Sequence, residues 1–219
     1  MKLPTVLVIL MSSVLLGCAT QPKTLVVEKA KPLKERVQTH PKTIGVEKAK
    51  PPLGWAEFCV RYAPECANNH TPPRDIVLSP DTWSTIVSVN KRVNEYIKPT
   101  TDLEHWGAIN IWYYPDDGRG DCKAYVLLKR RMLMEAGFPR QALLITIVGT
   151  QEHKGHAVLI ARTDKGDFVL DNLSAETLLW SETDYDFIKR QSQSDPNAWI
   201  YIDGDTWKQP ATVAATVTD

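Results

Sequence analysis

No charge of one sign dominates this chain. Its 26 Lys and Arg residues cancel 26 Asp and Glu residues over 219 positions, so nothing global points to a nucleic-acid partner. The apolar N-terminal run, residues 3–16, falls short of the ~20 residues that a bilayer-spanning helix needs. Cysteine is scarce, with four residues. Apolar residues are not scarce: 43% hydrophobic against 24% charged excludes a wholly disordered chain and allows one domain with extras, or two small ones.

The zero net charge conceals an asymmetry. Residues 19–53 carry eight Lys/Arg against three Glu, whereas 54–219 hold 17 basic and 23 acidic side chains. Ahead of both, Lys2 and the apolar run have the form of a targeting segment. It ends in Leu15-Leu16-Gly17-Cys18, which resembles a bacterial lipobox. The resemblance implies a lipoprotein signal peptide over 1–17, cleavage before Cys18 and lipid on that residue, making the membrane a partner. Several acyl chains anchor stably, because each buried methylene contributes ~0.8 kcal/mol. Ala19 in place of Asp after the cysteine fits an outer-membrane address on the periplasmic side of a bacterial cell envelope. A plain secretory signal or an uncleaved anchor is the competing reading.

Residues 20–32 recur as 39–51, with ten matches in thirteen at a period of 19. Two polar copies bury no core, so 18–53 reads as a basic tether between a lipidated Cys18 and a folded domain expected over 54–207. Residues 208–219 are small and polar and read as a flexible tail.

With Cys18 assigned to lipid, three cysteines remain. Cys59 and Cys66, with Pro64 between them to turn the chain, are candidate disulfide partners in an oxidising compartment. That leaves Cys122 unpaired. Ser79-Pro80-Asp81 marks a helix start, followed by apolar residues at helical spacing up to Pro99. Residues 106–114 read as extended. A second helix is expected from about Asp121 to Ala136, capped by Gly137, with Lys129, Arg130 and Arg131 on a solvated face. Strands are expected at 142–148, 156–162 and 167–171, the last two a hairpin through Thr163-Asp164-Lys165-Gly166.

Cys122 thus falls at a helix start after a Gly-rich loop, where unpaired amides and the positive helix end favour a thiolate and offer donors to an oxyanion. With Arg162 opposite Asp167, the hairpin sets His156 diagonal to Asp171 on one side. Taken singly, a histidine opening a strand is usually a satisfied polar group, and Asp171-Asn172 is ordinary turn chemistry. Together they supply nucleophile, base and orienter from three elements.

Five segments, Gly118-Arg119-Gly120-Asp121-Cys122, residues 125–131, Ala136-Gly137-Phe138-Pro139, Gly155-His156-Ala157-Val158-Leu159 and Phe168-Val169-Leu170-Asp171-Asn172, resemble the bacterial transglutaminase-like cysteine peptidases. The likeness runs from about 54 to 200. It implies an α+β, papain/transglutaminase-like fold with a catalytic helix on an antiparallel sheet, a Cys122-His156-Asp171 triad, hydrolysis of amide bonds in envelope proteins and no organic cofactor. The best understood relatives are periplasmic proteases that release surface adhesins and so biofilm cells. They carry Asp-Cys-Glu-Asp at the nucleophile, with carboxylates that bind calcium. Here the run is Asp121-Cys122-Lys123-Ala124, so a calcium position at Asp121 is expected to be lost. The same triad also suits a transglutaminase, and the Lys123 and Ala124 changes suit a binding module whose catalysis has lapsed.

Overall fold

The computed structural model describes residues 48–202. The elements run β1 (Lys48–Ala49), α1 (Trp55–Arg61), α2 (Ala63–Cys66), α3 (Pro80–Tyr96), β2 (Lys98–Pro99), α4 (Asp102–Trp106), β3 (Arg119–Gly120) and α5 (Cys122–Glu135). Then come β4 (Leu143–Gly149), β5 (Gly155–Thr163), β6 (Gly166–Leu170), β7 (Leu178–Leu179), β8 (Asp186–Gln191) and β9 (Trp199–Tyr201). Seven strands form an antiparallel sheet in the order β1-β9-β8-β4-β5-β6-β7, while β2 and β3 pair in parallel apart from it. This is the α+β architecture of a helix on an antiparallel sheet.

Local chemistry sets the helix ends. Ser79 Oγ accepts from Thr82 N at 3.2 Å and Thr82 Oγ1 accepts from Ser79 N at 2.8 Å, a reciprocal cap, with Pro80 in the first turn where its missing N–H costs nothing. At α5, Asp121 Oδ1 accepts from Lys123 N at 3.0 Å; beyond the other end, Gly137 takes φ 89, a left-handed value suited to glycine.

Strands β4, β5 and β6 are buried almost throughout, so the sheet is covered on both faces. Leu144, Val148, Val158, Ile160 and Val169 cluster on one face under Trp180, Tyr185 and Phe187. Phe168, which alternation turns to the other face, meets Trp83 of α3 with ring centroids 4.8 Å apart. Helix α5 lies against both α3 and β5.

Three local expectations need correcting. Lys129 and Arg130 do not face solvent: both are fully buried, because α5 is sandwiched between α3 and the sheet and presents no wide outer face there. Arg130 reaches Glu65 at 3.1 Å and the Leu143 carbonyl at 3.3 Å. Residues 106–114 are not a strand; α4 ends at Trp106 and Gly107 turns the chain with φ 67. The sheet also begins at Lys48, ahead of Gly54, because Lys48 and Ala49 pair with Ile200 and Trp199. Cys18, the signal segment, most of the repeat and the tail lie outside the described residues, and among those described no helix is long and apolar enough to cross a membrane.

Candidate active site

The loop before α5 runs so close to the helix that Gly120 has no room for a side chain: a Cβ there would stand 2.4 Å from the Ala124 Cβ and 3.2 Å from the Tyr113 hydroxyl. This close approach delivers Cys122 as the first residue of α5, a free thiol 3% exposed. As the first helical residue its N–H has no intrahelical acceptor.

The β5-β6 hairpin pairs Arg162 with Asp167 and Leu159 with Leu170, so Asp171 lies one residue and His156 three residues beyond the paired stretch, diagonal to one another on one face. His156 Nε2 and Asp171 Oδ1 are 2.8 Å apart, both residues buried. Nδ1 makes no hydrogen bond of regular geometry among the described residues. Cys122 nevertheless acts on the imidazole as a hydrogen-bonding and charged neighbour. Burial by itself lowers the imidazole pKa. The hydrogen bond with Asp171, and then the hydrogen-bonding and negative charge of Cys122, more than reverse this and hold His156 at about 10.

Asp171 is fixed from several directions. Its Oδ1 also accepts from Leu173 N at 3.2 Å, and its backbone carbonyl accepts from Asn94 Nδ2 of α3 at 2.8 Å, which also reaches the Ser174 carbonyl at 3.2 Å. Burial pushes the Asp171 pKa up, but His156, Tyr185 and the Leu173 amide together leave the carboxyl below its ordinary range. Tyr185 was invisible in the sequence: it sits in an irregular acidic stretch with no motif. Asn94 falls among the residues that resemble the family, but the resemblance assigns it no role.

A cavity of about 530 Å³ opens beside this group, lined by Asp171 and Tyr185 and by Thr150, Gln151, Leu173 and Leu178. That volume is typical of a ligand-binding cleft.

Lys123 is 1% exposed and its ammonium sits between two carboxylates, 2.9 Å from Asp102 Oδ2 and in contact with Asp121 Oδ2. Burial lowers its pKa, but Asp121, Cys122 and Asp102 outweigh burial and keep it charged. The residues present do not fit a calcium ion: the two acids already share an internal cation that stands between them, and no group of three His, Cys, Asp or Glu converges among the described residues. Away from the site, Cys59 and Cys66 are joined by a disulfide linking α1 to α2, and Asn197 Nδ2 donates to the Cys66 carbonyl at 2.7 Å.

Among solved structures the chain is similar to Legionella pneumophila LapG. The calcium-bound form matches at 22% identity over 62% of this chain and 78% of that one, with a TM-score of 0.48. The EGTA-treated form matches at 24% identity over 50% of this chain and 62% of that one, with a TM-score of 0.43. The chain therefore spans under two thirds of that second structure. Among curated proteins none matches. Residues 45–207 match the family described as bacterial transglutaminase-like cysteine proteinase, BTLCP, and the chain belongs to that family of cysteine peptidases.

Proposed function

We propose that this chain is a cysteine peptidase that cleaves protein amide bonds through Cys122, His156 and Asp171. The observation that carries the reading is the His156–Asp171 hydrogen bond of 2.8 Å, which leaves Nδ1 for the sulfur of Cys122. Cys122 Sγ attacks the carbonyl carbon, and the amide of Cys122 is the candidate donor to the oxyanion, since the next amide is taken by Asp121. As the C–N bond breaks, His156 gives its proton to the leaving amine and a thioester remains. His156 then takes a proton from water, which attacks the thioester and releases the acid, leaving the Cys122 thiolate beside a protonated His156 ready for the next cycle. Asp171 holds the ring and its positive charge throughout.

We place the enzyme at the periplasmic face of the outer membrane, tethered by lipid on Cys18, with surface proteins of the adhesin class as substrates. The lipobox-like Leu15-Leu16-Gly17-Cys18 and the basic repeat support the address, and the family resemblance supports the substrate class. The test compares new protein N-termini in envelopes carrying the wild-type chain or Cys122→Ala, with a labelled primary amine present. Cleavage confined to the wild type supports the proposal. Amine incorporation without cleavage indicates a transglutaminase, and no difference between the two indicates a binding module.

A further inference from the structure

Tyr185 immediately precedes β8, which pairs with β4, which in turn pairs with β5 where His156 sits. Its hydroxyl donates to Asp171 Oδ2 at 2.5 Å, and its ring lies 5.7 Å from the imidazole at 43°. Its backbone is pinned next door, where Gln151 Nε2 donates to the Asp184 carbonyl at 2.5 Å. The other carboxylate oxygen, Oδ1, serves His156 and the Leu173 amide. Among the described residues, Tyr185 gives the one hydrogen bond that Oδ2 receives.

We propose that Tyr185 is a positioning residue of this site, acting through Asp171 to keep the carboxylate ionised and aimed at Nε2. The inference rests on the peptidase reading above. A carboxylate rotates easily about its last side-chain bond, because sp³–sp² torsions have broad wells. Donors on both oxygens stop that rotation. Asp171 is 3% exposed, where a carboxylate oxygen without a donor is costly and drifts toward the protonated acid. A protonated Asp171 no longer stabilises the imidazolium, and His156 then does less for the sulfur. The phenol stays a donor across the working range: burial and the charge of Asp171 push its pKa well above the ordinary tyrosine value.

The test uses the full chain and iodoacetamide, so no substrate need be known. Cys122 alkylation is followed from acid to alkaline pH in the wild type, in Tyr185→Phe, in Asp171→Ala and in the double variant, with thermal unfolding of each. In Tyr185→Phe the acidic limb should move to higher pH, and alkylation in mild acid should fall about tenfold, the scale of one hydrogen bond to a charged group. In the Asp171→Ala background the same change should do nothing further, because its route is gone. A ring-fluorinated tyrosine at 185, a stronger donor of the same shape, should move the limb the other way and serves equally if the phenylalanine variant fails to fold. An acidic limb unmoved by both replacements, or an equal loss with and without Asp171, overturns the proposal while leaving the peptidase reading intact. A wild-type thiol no faster than free cysteine overturns both.

Discussion

Lys123 Nζ lies 2.9 Å from Asp102 Oδ2, and the same ammonium touches Asp121, the residue that caps α5. An internal cation thus ties the loop before α5 to the start of α4 and stands one residue from Cys122. This arrangement makes added metal redundant. Alkylation of Cys122 should be unchanged by a calcium chelator and unchanged by added calcium; a chelator-sensitive rate restored by calcium contradicts it.

Replacing the cation with a neutral side chain leaves two buried carboxylates facing one another. Lys123→Met should therefore destabilise the fold by about 3 kcal/mol, the range for breaking a buried ion pair from one side. Urea denaturation of the two proteins measures it, and equal midpoints would show that the ion pair contributes nothing.

The disulfide closes a short loop, with Cys59 and Cys66 seven positions apart. Loop-closure entropy for so short a ring is worth about 2.5 kcal/mol. The double variant Cys59→Ala with Cys66→Ala should lose that much by denaturant titration, with α1 and α2 loosened from Asn197 first.

Two buried bases give stability opposite pH dependences. The folded pKa of His156, about 10, exceeds its ordinary 6.5, so its contribution is complete below about 6.5 and is lost as pH rises through 10. Lys129 runs the other way. Its Nζ is buried without a hydrogen-bond partner among the described residues, the Tyr125 ring 5.8 Å away, and burial, only partly offset by Asp171, brings it from 10.5 to about 7. Its charge therefore penalises folding in full below about 7, and the penalty fades as pH climbs toward 10.5. Lys129→Met should raise the melting temperature at neutral pH and below, and its stability should fall more steeply than the wild type's between neutral and alkaline pH. Parallel stability–pH curves for the two proteins would refute the Lys129 assignment, and a stability that does not fall as pH rises toward 10 in the Lys129→Met background would refute that of His156.

What could be read from the sequence follows physical range. The hairpin carrying His156 and Asp171 was legible because strand alternation and the turn around Gly166 are local signals. The caps of α3 and α5 were legible for the same reason. Arg130 was not: its partner Glu65 lies 65 positions away, and only folding decides that a charge run faces inward. Nor were β1 and β9, whose two and three residues are too few for an alternation to register. Tyr185 reaches Asp171 across the sheet from an irregular stretch, a contact that no local pattern encodes.

The central claim, that Cys122 is a nucleophile activated by the His156–Asp171 pair, is tested most directly by the rate of Cys122 alkylation by iodoacetamide at neutral pH, measured against free cysteine in the wild type and in His156→Ala. The account predicts a wild-type thiol that reacts clearly faster than free cysteine and loses that advantage in His156→Ala; a wild-type rate equal to that of free cysteine, or one indifferent to His156, contradicts it.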